Sequence, residues 1–237
     1  MSATTAVPPG FDITRSYVRW HFPVASALLL FLSLVAFGDN LVTDVGQPSN
    51  GDPKFVIHGL FLLAWMILLV VQSSLPRFGR LSLHRKLGNY GFFVAVGVVL
   101  STLWLFAAVW RGWAALAPEV MANRIFLPLY AAYMIGAWRM RMRPEWHKRF
   151  VYLGTLFLLE PVLARTYDPL IAPLMPVYPP GGDDHLFLGY LALSWTSFYL
   201  ALLLYDRLKG GRFHPLTLGS LAATYAVYAL VFAVAPA

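Results

Sequence analysis

The chain has 237 residues, of which 59% are apolar and only 12% are charged, and this composition excludes an ordinary soluble globular protein. The net charge of +7 would suggest nucleic acid in a soluble protein. Here the basic residues flank apolar runs, so no nucleic-acid partner is expected and the charge indicates anionic lipids at a membrane surface instead. The absence of cysteine excludes disulfides, thiolate metal sites and thiol catalysis.

Apolar runs long enough to cross a bilayer occupy most of the sequence. A crossing takes about 20 apolar residues per helix, and seven such runs follow one another at about 17–38, 54–75, 88–110, 121–138, 149–167, 185–205 and 215–235. The sequence therefore predicts an all-α integral membrane bundle of seven transmembrane helices. It forms a single domain over 17–237, preceded by a cytoplasmic tail over 1–16.

The charges between the runs predict an orientation. If the loops alternate between the two sides, one side receives 14 basic residues and the other receives only Lys54, Arg111, Arg124 and Arg165. Lysine and arginine are enriched in cytoplasmic loops. The N-terminus is therefore expected in the cytoplasm and the C-terminus outside. Anionic lipids are expected at the basic face.

Glu160 is the costliest residue in the predicted bundle. It lies about 16 Å from the inner start of its helix at 1.5 Å per residue, near the bilayer centre, where a carboxylate must be protonated or paired. Pro161 follows and frees a backbone carbonyl at a similar depth. This pair predicts either a proton or cation site at a helix break, or a structural carboxyl bonded to a neighbouring helix.

Three more polar residues are candidates near the outer interface. Arg165 follows Glu160 on the same helix, and Asn123 and Arg124 open the fourth helix. They are interpreted either as an anion site or as Arg165 reaching toward the interface with Asp168, three residues further on, as its partner.

A stripe on the second helix also predicts an interior polar surface. His58, Trp65 and Gln72 recur at intervals of seven residues, so they share one helix face. A face with polar ends and an aromatic centre is expected to point into the bundle rather than into lipid.

Two histidines lie at the cytoplasmic ends of different helices. His84 stands near the start of the third helix and His147 near the start of the fifth. Two imidazoles at one depth are what a b-type haem with two axial ligands needs. The alternative is that both belong to a basic collar that touches lipid phosphates, since they stand in HRK and HKR.

Segments between His58 and Arg165 resemble a family of predicted bacterial multi-pass membrane proteins known as a domain of unknown function. The segments are IHGLFLL, LHRKLGNYG and EWHKRFVYLG, and the matching positions are His58, His84, Arg85, Gly88, His147, Arg149 and Arg165. The resemblance implies a bacterial inner-membrane protein of this architecture. It implies no activity.

The segment LHRKLG is also similar to one in the ascorbate-reducible di-haem cytochromes b. In that family, helices 2 and 4 hold one haem and helices 3 and 5 hold another. The resemblance implies that His84 and His147 are the ligands of one haem. The fourth helix has Asn123 and Arg124 where a histidine would be needed, so a second haem of that kind is not expected.

Two functions follow from these patterns. The first is a protein that binds a small lipophilic ligand or ion in an interior polar cavity, or an accessory subunit of a larger membrane complex. That cavity would be lined by His58, Trp65, Gln72, Glu160, Arg165, Asn123 and Arg124. The alternative is a haem-binding redox subunit. No nucleophile–base pair or metal motif is visible, so no catalytic residue is predicted and an enzyme is disfavoured.

Overall fold

The computed structural model describes residues 12–174 and 184–234, and within these ranges it is helical with no β-strand. Short helical turns at Asp39–Thr43, Pro48–Gly51, Leu75–Phe78, Trp113–Ala115 and Ala172–Leu174 join the main helices. The main helices are α1 Ile13–Ala36, α2 Pro53–Ser74, α3 Leu81–Ala108, α4 Pro118–Arg139, α5 Pro144–Leu156, α6 Glu160–Ile171, α7 Asp184–Gly210 and α8 Pro215–Val234.

Six of the helices in the described ranges are long and apolar enough to cross a membrane. They are α1, α2 with the turn that follows it, α3, α4, α7 and α8. Many large apolar side chains on them are exposed, among them Val24, Phe93 and Leu193 at 62%, 71% and 75%. Lipid rather than water suits such a surface, because soluble proteins rarely expose large apolar patches. The prediction of an all-α, multi-pass membrane protein is confirmed at this level.

Several helices begin earlier than the apolar runs indicated, and α1 and α3 are two of them. Helix α1 starts at Ile13 rather than 17 because Asp12 caps it, with its carboxylate accepting a hydrogen bond from the Arg15 backbone N–H at 3.1 Å. The expected tail over 1–16 is thereby shortened, and its residues 1–11 lie outside the described ranges. Helix α3 starts at Leu81 rather than 88, and His84 lies in its first turn.

The single helix expected over 149–167 is two helices. Helix α5 ends at Leu156 and α6 begins at Glu160, with a turn between them. Pro161 accounts for the break, because it has no N–H and its ring would clash with the carbonyl of Phe157 in a continuous helix. In the first turn of α6 the missing N–H costs nothing, since that group has no partner within a helix.

Helix α5 and the turn after it run along α4, in the opposite direction, as far as Glu160 at the start of α6. Successive residues of this segment contact residues progressively nearer the start of α4. The pairs are His147 with Ala137, Gly154 with Met134, Phe157 with Phe126 and Glu160 with Asn123. The segment up to Glu160 therefore lies alongside α4, which is one of the six apolar helices, and the rest of α6 packs against α1 and α7.

A buried ion pair fixes α5 against α7 and α8. Arg149 and Asp206 are 4% and 2% exposed, and the Arg149 Nε–H donates to the Asp206 carboxylate at 2.9 Å. The other carboxylate oxygen accepts hydrogen bonds from the His214 backbone N–H at 3.0 Å and the Thr217 hydroxyl at 2.7 Å. Because both carboxylate oxygens have donors, the charge of Asp206 is compensated inside the bundle.

We expect Arg149→Met to lower the free energy of unfolding by about 3 kcal/mol or more, because it leaves the Asp206 carboxylate buried without its cation. Adding Asp206→Asn should restore at least half of that loss, since the amide oxygen can still accept from Thr217. Unfolding in detergent followed by circular dichroism measures both changes.

Arg207→Met is the matched control, because Arg207 neighbours Asp206 but is exposed. It should change stability little. An Arg149→Met protein as stable as the wild type would contradict the role given to the buried pair.

Candidate functional site

His84 and His147 occupy equivalent places in two helical hairpins. His84 lies in the first turn of α3 and its Nδ1 is 3.1 Å from the carbonyl oxygen of Gln72 near the end of α2. His147 lies in the first turn of α5 and its Nδ1 is 2.9 Å from the carbonyl oxygen of Ala137 near the end of α4. A carbonyl oxygen only accepts hydrogen bonds, so each Nδ1 carries the proton. In a neutral ring, Nε2 is then the nitrogen with the free lone pair.

The two imidazole rings lie close together across the hairpins. Their centroids are 6.3 Å apart and their planes are nearly perpendicular, at 87°. A metal–imidazole bond is about 2.0 Å long, which puts the centres of two rings on opposite sides of one metal about 6 Å apart. Histidine ligands usually donate their other ring N–H to a carbonyl or carboxylate, as both rings do here. The spacing and the bonding of the pair therefore fit two axial ligands of a single metal.

The Gln72 side chain lies next to this pair. Both its amide nitrogen and its amide oxygen are buried without a hydrogen-bond partner among the described residues. The amide nitrogen lies 4.0 Å from the position that a Cβ on Gly88 would take, and a Cβ on Gly91 would meet no atom within 4 Å. Gly88 of α3 therefore packs against an amide that lacks partners, and Gly91 has open space beside it.

Trp65 and His58, the other two residues of the stripe on α2, contact neighbouring helices at two other depths. Trp65 is 6% exposed and its indole N–H donates to the Thr155 hydroxyl of α5 at 3.1 Å. His58 lies half-buried toward the other end of α2, with its Nδ1 3.5 Å from the Ser101 hydroxyl and 3.4 Å from that of Thr102. His58 thus contacts hydroxyl groups of α3.

Glu160 and Asn123 contact each other directly. Glu160 is 3% exposed, and its carboxyl group accepts a hydrogen bond from the Asn123 amide at 2.6 Å. Glu160 also occupies the first turn of α6, where free backbone N–H groups and the helix dipole favour an acidic side chain. The sequence expectation that Glu160 bonds a neighbouring helix matches this geometry.

The side chains of Arg124 and Arg165, the two arginines expected near the outer interface, lie against aromatic rings. The Arg124 guanidinium lies 4.5 Å from the ring of Phe106 and 4.8 Å from that of Trp110. The Arg165 guanidinium lies 4.8 Å from the ring of Phe37. The seven residues expected to line one interior cavity are therefore distributed over several separate contacts, of which Glu160 with Asn123 is the one that joins two of them.

Sequence reasoning missed the buried partners of Arg149. It counted Arg149 among the 14 basic residues assigned to one side and gave Asp206 no role, although the two form the ion pair described above. A signal was present, because Asp206 is one of only three acidic residues, with Asp12 and Glu145, on the side to which alternating loops assign 14 basic ones. An acidic residue at the end of an apolar run on that side is expected to have a basic residue as its partner.

Comparisons of the chain with models of protein families, with curated proteins and with solved structures give no match.

Proposed function

We propose that the chain is an inner-membrane protein of bacteria in which His84 and His147 are the axial ligands of one b-type haem on the cytoplasmic side. The observation that carries the proposal is the pair of rings 6.3 Å apart, each with Nδ1 bonded to a backbone carbonyl. Bound there, haem would supply one-electron redox chemistry. The protein would then be a redox subunit rather than an enzyme complete in itself.

The number of donors favours haem over a bare metal ion. A structural zinc site takes four protein ligands, whereas the described residues contain no group of three or more histidine, aspartate or glutamate side chains placed to hold a metal. A macrocycle that brings its own nitrogens needs only the two imidazoles. The two glycines support the same choice, because Gly88 and Gly91 put no side chain between a flat ring and the backbone of α3.

The proposal includes seven membrane crossings, with the N-terminus in the cytoplasm. Helices α5 and α6 are each too short to cross alone. Helix α5 and the turn after it follow α4 from its cytoplasmic end to Asn123, near its outer end, and α6 continues from there against α1 and α7. Counting them as one crossing makes the loop charges alternate, with 14 basic residues on one side. It places both haem ligands at that basic face, where anionic lipids gather.

A second candidate is a polar ligand or ion bound beside Glu160. The Tyr228 hydroxyl and the Trp195 indole N–H are buried without partners among the described residues. Both rings contact Phe126, which lies one helical turn from Asn123. These groups favour an interior ligand in the outer half of the bundle.

The haem proposal predicts the absorption spectrum of the purified protein. Expressed with sufficient haem, the wild type should show a Soret band and a pyridine haemochrome of b type. His84→Gly and His147→Gly should each lower the haem content about tenfold or more, because one axial bond is lost. Free imidazole added to either variant should restore part of the band by replacing the missing ring.

His185→Gly is the matched control, because His185 lies at the start of α7, far along the chain from either hairpin, and is exposed. It should keep the full band. A folded wild type that stays colourless after incubation with haem would remove the proposal.

The proposed topology predicts opposite locations for two nearby positions. A reporter fused after Met142, between α4 and α5, should lie in the cytoplasm, and one fused after Pro173, beyond α6, should lie outside. Alkaline phosphatase and green fluorescent protein fusions report the two sides. Equal locations would mean that α5 and α6 do not cross together.

Variants at Glu160 separate its structural role from a ligand-binding one. Glu160→Gln keeps an acceptor for the Asn123 amide, so stability should change by less than about 1 kcal/mol. Asn123→Leu removes the donor and should cost about 1–3 kcal/mol. Thermal unfolding in detergent measures both. A larger loss in Glu160→Gln than in Asn123→Leu would show that the charge of Glu160, rather than its hydrogen bond, is what the bundle needs.

A further inference from the structure

A pocket of about 370 Å³ opens at the cytoplasmic end of the bundle, and no residue of either candidate site lines it. The start of α1, the turn between α2 and α3, and the end of α7 form its walls. It is lined by Thr14, Arg15, Val18, Arg19, Arg77, Tyr205, Leu208 and Lys209. Four of these eight side chains are cations.

We propose that this pocket binds a phosphate group, and that a membrane lipid carries it. The volume lies in the range of small-molecule sites, which is about 300–1,000 Å³. Several arginines around one cavity are typical of phosphate recognition, because the planar guanidinium donates two parallel hydrogen bonds to phosphate oxygens.

The nearby acids leave much of the positive charge uncompensated. Asp12 pairs with Arg15 at 3.0 Å, but the Arg15 side chain is 90% exposed, so that bond is weak and easily exchanged. Glu145 contacts Lys209, and it is shared with Lys148 at 2.8 Å and Arg149 at 2.9 Å. The first eleven residues of the chain contain no acid that could add to these.

Arg77 carries an independent indication of a ligand. Its Nε–H is buried and has no hydrogen-bond partner among the described residues. A buried charged donor without an acceptor is costly, and an oxygen of a phosphate group would satisfy it. Of the four cations, Arg77 is therefore the one on which the proposal depends most.

The rim of the pocket favours a lipid over a soluble anion. Ile13, Phe78 and Leu208 surround this end of the bundle with 73%, 69% and 40% of their surface exposed. Trp20 packs on Phe78 with ring centroids 6.0 Å apart, and aromatic side chains of this kind are enriched at the membrane interface. An amphiphile can satisfy both the cations and the apolar rim.

The inference rests on the proposed placement of this end in the cytoplasmic leaflet, but not on haem. Neither His84 nor His147 lines the pocket. The absorption spectrum therefore serves as a separate readout, and a pocket variant should keep the spectrum of the wild type, whatever that spectrum is.

The test measures the binding of dihexanoyl phosphatidic acid to the detergent-solubilised full chain, with dihexanoyl phosphatidylcholine and inorganic phosphate as the other two ligands. The wild type should bind the phosphatidic acid at least about tenfold more tightly than either. Arg77→Gln should weaken that binding about tenfold, because it removes both the charge and the buried donor. Arg19→Gln should weaken it as well.

Arg139→Gln is the control, because Arg139 is an exposed cation at the same end of the bundle and does not line the pocket. It should leave the affinity within about twofold of the wild type. Equal weakening by Arg139→Gln and Arg77→Gln, or no effect of Arg77→Gln in a folded protein, would overturn the site. Inorganic phosphate that binds as tightly as the lipid would overturn the lipid as its source.

Discussion

The position of α5 depends on one buried ion pair. A charge inside a protein is tolerated when its partner and its remaining hydrogen bonds are complete, and Asp206 meets this condition through Arg149, the His214 backbone N–H and Thr217. Because Asp206 belongs to α7 and Thr217 to α8, the pair holds α5 against two helices far along the chain. His147 lies two residues before Arg149, so the same anchor sets where its ring meets α4 and the ring of His84.

The two hairpins contain the same hydrogen bond between a histidine and a backbone carbonyl. This shared bond distinguishes the histidine pair from two residues that merely belong to a basic collar. In each hairpin an imidazole in the first turn of the second helix donates to a carbonyl near the end of the first helix. A histidine of a basic collar would be expected to direct its ring toward lipid phosphates. These rings instead bond inward and lie 6.3 Å from each other. The connection fixes the tautomer of both rings and leaves Nε2 as the nitrogen that can bind a metal.

The sequence predicted what local patterns determine. Apolar runs and the charges beside them are enough to indicate membrane helices, and two histidines at the inner ends of helices that run in the same direction had to lie at one depth. Pro161 also predicted the helix break that separates α5 from α6. The pattern could not place Arg149, because its partner is 57 residues away and a basic residue beside other basic residues is typical of a loop. Nor could it find the pocket at Arg77, whose walls come from three separate parts of the chain.

The difference between satisfied and unsatisfied polar groups separates scaffold from candidate site in this bundle. Around Asp206 every donor has an acceptor, and such a network needs nothing from outside the protein. The amide of Gln72 and the Nε–H of Arg77 are buried without partners among the described residues. In the hydrocarbon and at its edge water is scarce, so an unsatisfied group there costs more than it would at the surface of a soluble protein. Gln72 packs against Gly88 of α3, and Arg77 lines the cationic pocket. The cost of each group is offset if a bound molecule supplies the missing partner, and the same holds for Trp195 and Tyr228 beside Phe126. For that reason these places, rather than the fully bonded ion pair, are where ligand binding is expected.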